Sequence, residues 1–359
     1  MVSIRLEHVG KDRGGRPVLR DVDLVFPAGR TTALVGPSGS GKTTMLRLLA
    51  GLESPDRGRI QWEDRSTDEG PGGRSVAMLF QQLVLFPHLT VWDNLAFDLR
   101  YRRGGGIGAA EREEVDAVAR RLGLSHLVER RPGELSGGEQ QRVALGRALA
   151  SKARVVLLDE PLAHLDAPRR LELQRVLIGW QRERGVTMVY VTHDGNEAIG
   201  VADQLAVLDR GRVVESGRPD DLLSHPARVE TARQVGGLPA NIIIDGKKGV
   251  PGERFAVRPD AIRMAAVGGS SHEPSEGRWR ATGRIVDRCR TLAGPAAWVA
   301  VDRTPRGDFA TDDDALLLVV TDVQWERGDR VEISIDARRA TQLENEATDP
   351  ARPVATGHE

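Results

Sequence analysis

Between the apolar run Thr31–Val35 and the helically spaced apolar residues of Thr43–Leu52, the chain reads GPSGSGKTT, Gly36–Thr44. A G-x-x-x-x-G-K-[ST] string with a strand before it and a helix after it constrains the fold more than any other stretch. Its glycines let successive N–H groups turn inward around phosphate oxygens, and the following helix adds the positive end of its dipole. Gly36, Pro37, Ser38, Gly39, Ser40, Gly41, Lys42, Thr43 and Thr44 are therefore the expected nucleotide cradle. Lys42 is one of five lysines among 51 basic residues, so its place in the motif is unlike a chance one. It reaches the outer phosphates of a nucleoside triphosphate, and the Thr43 hydroxyl is placed for Mg2+.

Around this motif, strand-like and helix-like segments alternate. Ser3–Val9, Val22–Phe26 and Arg74–Phe80 read as strands, and so do the doubly apolar runs Val155–Leu158 and Thr187–Val191. Ala110–Leu122, the stretch after Ser136, and Leu171–Arg184 read as helices. Gln204–Leu208 and Arg212–Glu215 read as a hairpin. This predicts an α/β fold with a P-loop ATPase core. Three polar stretches stand at the carboxyl ends of expected core strands, where an open α/β sheet binds its ligand. In VVLLDEP, Asp159 is placed to hold Mg2+ and Glu160 to act as general base on the attacking water. The same Asp-Glu-Pro string also suits a helix start. In MLFQQ, Gln81 is the choice over Gln82 because the apolar run ends at Phe80. Its amide is expected to reach Mg2+ and the attacking water. In VYVTHD, His193 is expected near the γ-phosphate.

LSGGEQQR, beginning at Leu135, opens another helix. Ser136 and Glu139 form the S-x-x-E capping box. That cap does not explain Gly137 and Gly138, which strip side chains from the helix start and bare its N–H groups for an anion. The P-loop already holds the phosphates from its own side. A second helix start is therefore expected to face the nucleotide of another copy.

Taken together and in order, GPSGSGKTT, Gln81, LSGGEQQR, LLDEP, Leu165-Asp166 and His193 resemble the nucleotide-binding subunit of an ATP-binding-cassette transporter, over roughly Ile4 to Gly236. The resemblance implies ATP and Mg2+ as ligands. It also implies a homodimer, or a pair with a related ATPase, in which Leu135, Ser136, Gly137, Gly138, Glu139 and Asp166 contact the partner's nucleotide. LVLFPHLTVWDNLAF (Leu83–Phe97) and EPLAHLDAPRR (Glu160–Arg170) are similar to bacterial solute-importer ATPases. There the segment after the residue matching Gln81 docks two membrane permease subunits, with an extracellular solute-binding protein as an indirect partner. The resemblance places such a subunit on the cytoplasmic face of the membrane. GLPAN (Gly237–Asn241) resembles sugar and glycerol-phosphate importers, whereas LFPH (Leu85–His88) is shared with polyamine, iron and sulfate importers. Carbohydrate is the expected solute, with those ions, or a soluble non-transport ATPase, as alternatives. One departure stands out: the family's adenine-stacking aromatic is missing, and either Arg13 substitutes for it through its planar guanidinium or the contact is absent.

After Val235 the pattern changes to short β-like pieces: Asn241–Asp245, Glu253–Val257, Arg278–Val286, Ala297–Val301, Leu316–Val323 and Arg330–Ile335. VRPDAI (Val257–Ile262) and GDRVEISID (Gly328–Asp336) resemble the OB-like regulatory domain of importer ATPases. The expected organisation is an ATPase domain over 1–236, with a helical subdomain at about 83–150. A small all-β domain follows over 237–345, with a loop at Val267–Gly277 and a tail over 346–359. The 359 residues suit two domains at roughly 100–200 residues each. A net charge of -1 and 4% aromatic residues argue against a nucleic-acid partner. The single cysteine, Cys289, allows no internal disulfide and fits a reducing compartment. No apolar run approaches the ~18 residues of a membrane span, and the charged start of the chain does not suit a secretory signal.

Overall fold

The computed structural model describes residues 1–64, 75–81, 83–102, 106–163, 165–236, 240–245, 254–266, 278–291, 294–301, 309–311, 317–321, 326–336 and 339–343. The expected loop at 267–277, the tail over 346–359, Gln82 and most of GLPAN lie outside the described residues. The chain divides into two compact units, Met1–Pro219 and Asp220–Glu359.

The first unit begins with an antiparallel pair, β1 (Val2–Arg13) and β2 (Arg16–Phe26), followed by β3 (Thr31–Val35) and α1 (Lys42–Leu49). Then come β4 (Arg57–Asp64), β5 (Val76–Leu79), and three helices: α2 (Val91–Arg102), α3 (Ala109–Arg121) and α4 (Gly137–Ala150). The unit continues with β6 (Val155–Asp159), α5 (Ala167–Arg184), β7 (Thr187–Thr192), α6 (Gly195–Val201), β8 (Gln204–Asp209) and β9 (Arg212–Gly217). One sheet has the order β5-β6-β7-β3-β8-β9, parallel except for the β8–β9 hairpin. A second, antiparallel sheet has the order β2-β1-β4. One core cluster joins Ile4, Leu6 and Phe26 of the antiparallel sheet to Met45 and Leu49 of α1, and to Leu157 and Val189 of the parallel sheet.

The sheet order positions the site. β5, β6, β7 and β3 are neighbours and parallel, so their carboxyl ends emerge side by side along one edge. That edge carries, in spatial order, Gln81, Asp159-Glu160, His193 and the P-loop.

β1 runs past Val9 to Arg13 because irregularities after Leu6 and Val9 let it keep both partners while it twists. α1 stops at Leu49, short of the predicted Leu52, where Gly51 at φ 71 turns the chain. α5 starts at Ala167, earlier than predicted, because the Asp166 side chain caps it by accepting the Arg169 N–H at 3.0 Å. β4, α2 and α6 add to the elements read from sequence.

Among its described residues the second unit carries two short helices, α7 (Pro219–Ser224, at the boundary) and α8 (Val229–Gln234), followed by nine strands. These are β10 (Asn241–Asp245), β11 (Arg254–Val257), β12 (Ile262–Ala266), β13 (Arg278–Thr291), β14 (Gly294–Val301), β15 (Phe309–Thr311), β16 (Leu317–Val320), β17 (Arg330–Asp336) and β18 (Ala340–Gln342). They form two antiparallel sheets, β15-β10-β11-β18 and β12-β17-β13-β14-β16. Ile243, Val257, Ile285, Val299, Val319 and Ile333 fill the core. Ala232 of α8 packs against Ala240, Ile242, Ala256 and Leu343. Among the described residues, no helix is long and apolar enough to cross a membrane.

Candidate nucleotide site

β3 is buried along its whole length and is followed directly by Gly36. A Cβ on Gly36 would run into the Leu208 carbonyl of the neighbouring strand, so only glycine lets the chain leave the sheet there. Gly41 closes the loop at φ 108, and a Cβ there would meet Leu19 Cδ2 at 2.7 Å. α1 then begins with no side-chain cap and no acidic residue in its first turn. Its first N–H groups are left for an external acceptor. Lys42 is only 6% exposed and folds back over the loop, donating from Nζ to the carbonyls of Gly36 at 2.7 Å and Pro37 at 2.9 Å. Burial lowers its pKa, while nearby Glu160 and Asp159 oppose that shift. Ser40 Oγ is buried with no hydrogen-bond partner among the described residues.

β6 delivers Asp159, 2% exposed, to the same edge. Burial raises its pKa, and a hydrogen bond with the Thr43 hydroxyl opposes the rise. Asp159 Oδ2 has no partner among the described residues. Glu160 follows at φ 49, a left-handed conformation that is uncommon for a residue with a side chain. Its N–H donates to the Val191 carbonyl at 3.0 Å. No helix starts at Asp159-Glu160-Pro161; the next begins seven residues later at Ala167. Gln81 Nε2 stands 3.5 Å from Glu160 Oε2, and His193 Nδ1 stands 3.3 Å from Glu160 Oε1. The three side chains come from three successive strands of the sheet.

The segment from Leu135 to Glu139 forms no hydrogen bond or ion pair with this group among the described residues. Ser136 caps α4: its N–H and hydroxyl each donate to Glu139 Oε2 at 2.7 Å, and its Oγ accepts the Glu139 N–H at 3.4 Å. The Ser136 hydroxyl and N–H lower the Glu139 pKa. A Cβ on Gly137 would meet nothing within 4 Å, and one on Gly138 only Leu165 Cδ2 at 3.4 Å. Arg13 lies just before the β1–β2 turn and is bound through Nη2 to Glu53 at 2.6 Å, and Glu53 also pairs with Arg47 of α1. In the region expected to dock a partner, Phe86 stacks on Phe97 at 4.1 Å, with Arg147 over its ring and Val84 exposed.

Several residues bearing on this site were not singled out from sequence. Gln141 of α4 donates to the Pro161 carbonyl at 2.6 Å, just after Glu160. Arg170, Asp194 and Glu197 surround the turn that carries His193. Only Asp194 had a local signal, an Asp placed to cap a short helix.

Residues 19–163, from within β2 through the P-loop to two residues past Asp159-Glu160-Pro161, match the ABC transporter family. Over 254 residues the chain is 43% identical to the trehalose/maltose import ATP-binding protein MalK of Thermococcus litoralis, covering 68% of this chain and 67% of that one. The chain belongs to the ABC transporter family. It is 38% identical over 281 residues to the sulfoquinovosyl glycerol transport ATP-binding protein SmoE of Agrobacterium fabrum, covering 77% of each. Among solved structures, the ATP-binding cassette MJ0796, a dimer in a post-hydrolysis state bound to ADP and Pi, matches with a TM-score of 0.54 and 30% identity. That match covers 60% of this chain and 98% of the cassette. The first unit is thus an ABC ATPase core that binds ATP.

Proposed function

We propose that this ABC ATPase powers carbohydrate import as a dimer that closes on ATP at the cytoplasmic face of the membrane. The observation that carries the reading is the row of Gln81, Glu160, His193 and P-loop on four adjacent strand ends. Each has a distinct task. The P-loop N–H groups and Lys42 bind and orient the phosphates. Glu160 accepts a proton from the attacking water, and Gln81 orients that water. His193, beside Glu160, donates to the terminal phosphate.

Mg2+ fits the residues present. The buried Asp159 Oδ2, with no partner among the described residues, and the Thr43 hydroxyl beside that carboxylate supply hard oxygen donors, with Gln81 at the rim. When bound, the ion neutralises developing phosphate charge. Leu135, Ser136, Gly137, Gly138, Glu139 and Asp166 complete the partner copy's site.

Residues 83–97 are proposed to dock two permease subunits, with an extracellular binding protein delivering the solute. The assigned domains are an ATPase over 1–236 and an OB-like regulatory domain over 237–345. Relatives named for trehalose, maltose and sulfoquinovosyl glycerol support a carbohydrate solute.

The test is uptake of labelled di- and oligosaccharides in cells lacking the chain. Uptake should be lost, restored by the wild-type chain and not restored by Glu160→Gln. Undiminished sugar uptake in its absence would contradict the assignment.

A further inference from the structure

His193 is 61% exposed, and its ring is held at Glu160 by a single contact of 3.3 Å. Such a side chain does not orient itself, because an exposed ring loses rotamer freedom for little return. The residues on either side of it are anchored in an unusual way. Thr192 is 1% exposed, donates from Oγ1 to Glu197 Oε2 at 2.8 Å and accepts the Asp194 N–H at 3.0 Å. Glu197 is 7% exposed and also receives the Tyr190 hydroxyl. Burial and the adjacent Glu197 hold the Tyr190 phenol protonated well above its ordinary pKa, so it remains a donor. A carboxyl group buried against two neutral hydroxyls is a costly choice for a core, where apolar packing of the same volume is usually at least as stable.

On the other flank, Asp194 accepts the N–H groups of Asn196 and Glu197 at 2.9 and 3.2 Å. Its second oxygen lies 3.6 Å from Arg170 Nη1, and Arg170 Nη2 donates to the Leu165 carbonyl at 3.1 Å. The turn is therefore fixed from inside by Thr192 and from outside by Asp194. His193 is the one residue of the three whose side chain points to Glu160.

We propose that Thr192, held by the buried Glu197, is a positioning residue for hydrolysis: it fixes the turn that aims His193 at Glu160. The proposal rests on the assignment of His193 to the reaction. Thr192→Val keeps the shape and removes the hydroxyl, leaving the Asp194 N–H and Glu197 each short of a partner. Turnover should fall roughly 10- to 100-fold, the range that a misplacement on the order of 1 Å can cost. Half-saturating ATP should stay unchanged, because the P-loop is untouched. Thr192→Ser should restore most of the loss.

The deciding measurement is a double-mutant cycle on the full chain, reading ATP turnover. In a His193→Ala background, Thr192→Val should cost nothing further, since there is no longer a ring to aim. Losses that multiply, or wild-type turnover in Thr192→Val, would overturn the proposal while leaving the role of His193 intact. Wild-type turnover in His193→Ala would overturn the underlying assignment instead. Should Thr192→Val not fold, Tyr190→Phe carries the same test: it keeps the ring in the core, removes one donor to Glu197, and should lose its effect in the same background.

Discussion

Two helices of the first unit begin at glycine, and they do so for different reasons. At α1, the protein's own packing demands the glycines. Gly36 abuts the Leu208 carbonyl, and Gly41 adopts φ 108 against Leu19. The helix start is left uncapped, and Lys42 covers the loop. At α4 the start is capped by Ser136 and Glu139, yet among the described residues a Cβ on Gly137 would meet nothing within 4 Å. A glycine that the chain's own fold requires is explained by that fold. A glycine that costs helix stability and touches nothing points to a surface that some other body approaches. The glycines of the first helix start are accounted for within one chain, and the proposed role of the second start, against a partner copy, is what the contrast puts to the test.

The largest expected effect separates chemistry from both helix starts. Glu160→Gln leaves each of them intact, so an ATP-bound dimer should accumulate on a sizing column while hydrolysis falls about 10²–10⁴-fold, the usual share of a positioned general base. Turnover above a tenth of wild type would remove Glu160 from that role. Next in size is Gly41→Ala. A side chain forced into that conformation should cost about 1–3 kcal/mol in urea unfolding of the isolated chain. Unchanged stability would mean that the P-loop glycine is not demanded by the fold. The smallest effect has the opposite sign. Gly137→Ala should stabilise the isolated chain by up to about 1 kcal/mol, the ordinary helical preference for alanine, while weakening ATP-driven dimerisation. A loss of stability in Gly137→Ala would erase the contrast between the two helix starts.

Much of this site was legible because its parts are short strings at the ends of apolar runs. The P-loop, Asp159-Glu160, Gln81, His193 and the Ser136–Glu139 cap all depend on residues within a few positions of one another. What could not be read depends on distant pairing. The order β5-β6-β7-β3, which lines up those strings, is set by contacts between strands far apart in sequence. The left-handed backbone at Glu160 has no local cue, since neither glycine nor asparagine marks it. Arg13 could be read as a free guanidinium, but Glu53, forty residues on, engages it. Glu197 carries no local cue to its burial, which comes from the packing of α6 on β7, where the Tyr190 and Thr192 hydroxyls bond to it.

Completion of one copy's nucleotide site by the other copy's α4 is tested most directly by mixing two damaged chains. Lys42→Ala spoils the P-loop and keeps the α4 start; Ser136→Arg does the reverse. In a mixed dimer both lesions fall on one composite site and leave the other whole. With ATP, neither chain alone should dimerise on a sizing column, and the mixture should. If the mixture stays monomeric, or if the Ser136→Arg chain dimerises by itself, α4 does not act on the partner's nucleotide.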